Sequence, residues 1–122
     1  MTFRHTILRC TAFGLMLLST ATARAQSWGD PFLGLYWTHA CSESAALPIC
    51  YAFIRGIQGA NEMLLYGHKA PLWCETPGVS LDQLRQVFLK ELSDNVADLN
   101  REPGAGIAIF GFMKAFPCKP PQ

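Results

Sequence analysis

Apolar residues recur in three- and four-residue steps at Cys50, Phe53, Ile54, Ile57, Ala60, Leu64 and Leu65. That spacing lines one side of an α-helix and excludes a strand. Cys50–Gly67 is therefore the predicted central helix, with Arg55, Gln58, Asn61 and Glu62 on its polar side and Gly67 as its stop. Gly56 and Gly59 fall inside it, where each costs up to ~1 kcal/mol relative to Ala. Close approach of a neighbouring helix is the expected return.

Three further stretches carry a helical period. Asp30 can cap a short helix with Pro31 at its first position, placing Phe32, Leu35, Tyr36 and His39 on one face as far as about Cys41. Ser80-Leu81-Asp82-Gln83 has the form of a capping box. Behind it Leu81, Leu84, Val87, Phe88, Leu92, Val96 and Leu99 repeat to Asn100, with Arg85, Gln86, Lys90, Glu91, Asp94 and Asp98 as a solvated opposite face. The last helix, about Ala105–Phe116, is apolar nearly all round, so it is either buried on several sides or shared with a second subunit, with Ile107, Phe110 and Phe112 as the expected dimer seam. The expected fold is all-α: a small four-helix domain stapled by two disulfides.

The N-terminus changes the picture of charge. Arg4, His5 and Arg9, the apolar stretch Ala12–Leu18 and the small-x-small Ala23-Arg24-Ala25 predict a secretory signal peptide over residues 1–25. The remaining residues, 26–122, make one helical domain with its core at about 30–118. They keep seven of the ten basic residues and all nine acidic ones, a formal charge of −2 in place of the precursor's +1. No basic patch remains for a nucleic-acid partner, and no mature segment is long enough to span a membrane.

Four cysteines remain after cleavage: Cys41, Cys50, Cys74 and Cys118. An even number in a small exported chain predicts disulfides, and the absence of close C-x-x-C pairs argues against zinc. A central helix of ~18 residues is ~27 Å long, which separates Cys50 at its start from Cys74 beyond its end. Helices joined by short connectors alternate in direction, so the expected pairs are Cys41–Cys50 and Cys74–Cys118.

No catalytic constellation emerges. The mature chain has His39 and His68, no G-x-S-x-G and no H-E-x-x-H. The reading is a non-enzyme with no cofactor and no metal, acting through a surface. The turn-rich loop that follows the central helix is the candidate partner-binding surface, through Tyr66, His68, Lys69, Leu72 and Trp73.

The cysteine-anchored pattern resembles a known family. A Cys closing a short helix, Cys50-Tyr51 opening a helix that contains Gly56, the block Cys74-Glu75-Thr76-Pro77-Gly78-Val79-Ser80 with Leu81 and Gln83, and Ala115-Phe116-Pro117-Cys118 are similar to the Rap/Tai immunity proteins of bacterial type VI secretion. The resemblance implies a periplasmic, disulfide-bonded, all-helical protein, often a homodimer, that binds a secreted peptidoglycan amidase or other cell-wall hydrolase and occludes its groove. Two alternatives fit the same composition: a small disulfide-linked periplasmic chaperone and a cell-envelope interaction subunit.

Overall fold

A computed structural model describes residues 28–119; the signal-peptide reading of residues 1–25 lies outside them. Four α-helices form: α1 (Gly34–Ala40), α2 (Leu47–Tyr66), α3 (Leu81–Asp94) and α4 (Gly104–Ala115). Two single 3-10 turns, Ser44–Ala46 and Val96–Asp98, lead into α2 and out of α3. No strand forms among the described residues, and one isolated bridge pairs Leu33 with Pro103. The expected disulfides are both present, Cys41–Cys50 with Cα atoms 5.1 Å apart and Cys74–Cys118 with Cα atoms 4.8 Å apart.

The first helix starts later than expected. Asp30 caps a turn, its Oδ1 accepting from Phe32 N at 2.9 Å, and the helix N-cap is Leu33. The inward face is Gly34, Trp37 and Ala40, while Phe32 and His39 are exposed. The reason lies at Trp37, whose large ring gains most from burial. It stacks on Phe53 with centroids 3.6 Å apart, and its Nε1 donates to Pro31 O at 2.8 Å. Backbone bonds then join this corner to the far end of the chain: Gly34 N to Glu102 O, Leu35 N to Leu99 O, and Gly104 N to Phe32 O, all near 3.0 Å.

Glycine permits the closest of these contacts, at positions that hydropathy does not single out. A Cβ at Gly104 would overlap the Trp37 indole, and one at Gly34 would lie 2.6 Å from Ile107 Cδ1. At Gly56 and Gly59, by contrast, an added Cβ would meet nothing within 4 Å. The helix-approach reading of that pair is therefore corrected: both lie where α2 faces no neighbour closely.

The third helix keeps its capping box. Ser80 Oγ accepts from Gln83 N at 3.2 Å, and Ser80 N donates to Gln83 Oε1 at 2.7 Å. It ends at Asp94 instead of running to Asn100. Asn95 takes over the terminal carbonyl, its Nδ2 donating to Glu91 O at 2.8 Å and to Glu91 Oε1 at 3.1 Å, and the chain then tightens into the 3-10 turn, which leaves Val96 exposed. The face expected to be solvated is not uniformly so. Glu91 is only 5% exposed and pairs with Lys114 on α4 at 2.8 Å.

The core lies between α3 and α4, with α1 and α2 closing over it. Phe88, Leu92, Leu84, Ile54, Ala108 and Phe112 are its fully buried centre. Ile107 and Phe112 belong to this core, at 7% and 0% exposed, so these two are removed from the expected seam on α4, while Phe110 stays exposed. A side chain filling its own subunit's interior cannot also meet a second subunit. Phe110 and Met113 are the large residues that α4 presents to solvent.

Candidate functional site

At the C-terminal end of α2 and the loop behind it, exposed apolar residues gather next to a groove. The helix closes with two backbone bonds, His68 N to Leu65 O at 3.1 Å and Lys69 N to Leu64 O at 2.8 Å. This is the Schellman arrangement, and it requires a left-handed residue at the position after the cap. His68 holds that position, at φ 55°, while Gly67, the expected stop, has φ −79°. A non-glycine residue there costs about 1–2 kcal/mol.

The loop is then clamped to α2 by two side-chain amides that the hydropathy pattern places on the polar side. Asn61 Oδ1 accepts from Leu72 N at 2.7 Å while its Nδ2 donates to Trp73 O at 3.0 Å. Gln58 Nε2 donates to Glu75 Oε2 at 2.8 Å, and Trp73 Nε1 donates to Glu75 Oε1 at 2.9 Å. Gln58 and Asn61 are buried as a result. Loop backbone drawn against a helix must find partners for its N–H and C=O groups, and Asn61 satisfies one of each. Beyond the clamp, Cys74 N donates to Phe116 O at 2.9 Å beside the Cys74–Cys118 bond, tying the loop to the end of α4.

Of the residues expected to bind a partner, the structure brings Tyr66, His68, Lys69 and Leu72 to the surface at this end of α2. Tyr66 is 78% exposed and Leu72 45%, and Met63 and Leu65 on the last turns of α2 join them at 66% and 56%. Trp73 departs from the expected set. It is 1% exposed and packs on Phe112 with centroids 5.3 Å apart, because Glu75 supplies its indole N–H with an acceptor inside the fold. Its role is to hold the loop from below.

Between α2 and the loop lies a groove of about 300 Å³ whose walls include Gln58, Glu62, Leu65, Pro71, Trp73 and Glu75. The residues missed from the sequence are thus Gln58, Asn61, Glu62 and Glu75. The signal available was a pair of amides three residues apart on the flank of an apolar stripe, facing a Trp-Cys-Glu segment. Elsewhere Asp82 anchors the start of α3. Arg85 Nε donates to its Oδ1 at 2.8 Å, with Gln86 and Tyr51 adding further bonds, and these hold its carboxyl below the usual carboxylate range.

Among the described residues no group of three or more His, Cys, Asp and Glu side chains is placed to hold a metal ion, and no helix is long and apolar enough to cross a membrane. What the arrangement offers is a surface held by hydrogen bonds and a disulfide: an apolar rim, a histidine in an uncommon backbone conformation, and a groove lined in part by a carboxylate. Neither a curated protein nor a solved structure matches the chain. A family model described as Rap1a immunity proteins matches residues 34–118.

Proposed function

The chain belongs to the Rap1a immunity protein family, and from that premise we propose that it protects its cell by binding a peptidoglycan amidase delivered through type VI secretion and covering the enzyme's substrate groove. The proposed place of action is the periplasm, which the oxidised cysteines and the signal-peptide reading of residues 1–25 support. The proposed contact surface is the rim at the end of α2, with Tyr66 and Leu72 at its centre and His68 and Lys69 beside them.

The observation that carries this reading is the combination of exposure and rigidity in one place. Met63, Leu65, Tyr66 and Leu72 stand exposed on a backbone fixed by a helix cap, the Asn61 clamp and a disulfide. A preorganised apolar surface loses little conformational freedom on binding, which favours tight association. Occlusion needs no reacting group of its own.

The test is co-purification of the tagged mature protein from periplasmic extract, followed by assay of any captured cell-wall hydrolase. One stoichiometric hydrolase whose activity disappears on binding is the expected result, with Y66A weakening the complex by roughly 30-fold, as a central aromatic contact worth ~2 kcal/mol does. Capture of a scatter of unfolded clients, growing as pH falls, refutes it in favour of a chaperone.

A further inference from the structure

The groove beside the rim contains a carboxylate that has been given orientation but no counter-charge. Glu75 is half-buried, and each of its oxygens accepts one bond, from Gln58 Nε2 and from Trp73 Nε1. Both donors are neutral and almost fully buried, and the cation in this network, Arg55, donates to Gln58 Oε1 at 3.2 Å and forms no ion pair with the carboxylate. Among the described residues none of the ion pairs includes Glu75. The contrast is with the other carboxylates that are buried or half-buried, Glu91, Asp82 and Asp98, which pair with Lys114, Arg85 and Arg101. Glu62, on the same groove, likewise forms no ion pair among the described residues.

A carboxylate oxygen has two lone pairs, so each Glu75 oxygen can accept a second bond from the groove side. Leu65 and Pro71 contribute apolar wall, and a volume of about 300 Å³ suits a single long side chain. A partner that covered the rim without bringing a cation would strip water from Glu75 and leave the charge unpaired, which is strongly unfavourable.

We propose that the groove receives a basic side chain of the protein partner, an arginine whose guanidinium meets Glu75 while its methylenes lie along Leu65 and Pro71. Arginine fits better than lysine because its planar fork can engage both carboxylate oxygens and its stem tolerates apolar walls. This deepens the reading of the α2 end as the partner-facing surface and rests on it. The rim supplies adhesion, and the groove selects partners that carry a cation at the matching place.

The experiment needs no hydrolase, so its failure is separate from failure of the immunity reading. The ¹⁵N-labelled mature protein is titrated with N-acetyl-arginine methylamide and, in parallel, with the neutral isostere N-acetyl-citrulline methylamide, observing the side-chain N–H signals of Trp73 and Gln58. Trp37 Nε1–H, engaged with Pro31 O, serves as the internal reference. Saturable shifts at Trp73 and Gln58 with the arginine probe are expected, declining with added salt, and about tenfold weaker or more with citrulline or in E75Q, since a bond to a charged acceptor is lost. E62Q, altering an exposed side chain, is expected to weaken the response two- to fivefold, about the effect of a surface charge pair, and keeps the test open should E75Q disturb the loop. Equal responses to the two probes, no response at Trp73 and Gln58, or arginine binding indifferent to salt and to both substitutions overturns the proposal.

Discussion

The two disulfides should differ sharply in how they can be broken, and the outer one should set the stability of the loop that carries the rim. Cys41 and Cys50 are 0% exposed, whereas Cys74 and Cys118 lie at the surface. Exchange requires a thiolate to reach a sulfur, so a dithiol added to the native protein reaches Cys74–Cys118 directly but reaches Cys41–Cys50 only through opening of the fold. The outer bond joins residues 44 apart and the inner one residues 9 apart. On the chain-entropy account these separations correspond to ~4 and ~2.6 kcal/mol of stability. Loss of ~4 kcal/mol from a domain of this size lowers the melting temperature by roughly 20 °C. The loop should nevertheless keep its shape at room temperature, because Asn61 and the Cys74 N to Phe116 O bond remain. The assay is timed quenching with an alkylating agent, peptide mapping by mass spectrometry, and thermal melting of the singly reduced species and of C74S/C118S. An intermediate reduced only at Cys74 and Cys118 is expected to accumulate. Loss of both bonds at one rate, or a singly reduced form melting within about 5 °C of the oxidised protein, a shift near 1 kcal/mol, refutes the reasoning.

Asn61→Ala removes the partners of the half-buried Leu72 N–H and the buried Trp73 C=O and is expected to cost about 2–4 kcal/mol by chemical denaturation; a loss under about 1 kcal/mol means the loop holds itself. Gly104→Ala should destabilise by about 2–3 kcal/mol through overlap with Trp37, whose stacked ring cannot swing aside, whereas Gly56→Ala, facing open space in a helix, should stabilise by about 0.5–1 kcal/mol; reversed signs in the melts would contradict the packing described. His68→Gly should raise stability by about 0.5–1 kcal/mol, the relief of the left-handed backbone less the greater chain entropy that glycine loses on folding, and an unchanged or lower melting temperature counts against that cap. Asp82 and Asp94 both titrate below the ordinary carboxylate range in the folded protein, Asp82 chiefly through Arg85 and Asp94 chiefly through Lys90. The stability they contribute is present above the unfolded value near pH ~4 and disappears as pH falls through the lower folded values; a melting profile from pH 7 to 2 should be flatter on its acid side for D82N, and an unaltered profile refutes the assignment.

Local chemistry made part of this legible in the sequence. The Ser80–Gln83 box is a reciprocal contact within four residues, so composition alone determines it, and the cysteine pairing followed from helix length and the alternation of short-linked helices. What escaped the pattern is what distant chain imposes. Hydropathy assigns Gln58 and Asn61 to solvent, yet the loop at 72–75 needs their amides more than water does. Glu91 goes inside for Lys114, and the stripe at Val96 ends because Asn95 captures the Glu91 carbonyl. The candidate site was half visible: Tyr66, His68, Lys69 and Leu72 are where a turn-rich aromatic loop should place them, but Trp73 turns inward toward an acceptor, Glu75, that no periodicity marks. Gly34 and Gly104 could not be chosen over Gly56 and Gly59, because the space around a glycine belongs to the partner segment.

The hydrogen bonds from residues 32–35 to residues 99–104 have a bearing on the order in which this protein can be made. A chain emerging N-terminus first from a ribosome or a membrane pore presents Gly34 and Leu35 long before Leu99 and Glu102 exist outside it. The first helix is seven residues long, too short to persist alone; the central helix offers it Phe53 and the Cys41–Cys50 bond, but the backbone groups of Phe32, Gly34 and Leu35 must wait for residues 99–104. The last segment to emerge completes the first, and the molecule closes as a ring in time as well as in space. Truncation after the third helix therefore removes structure from both ends of the domain at once.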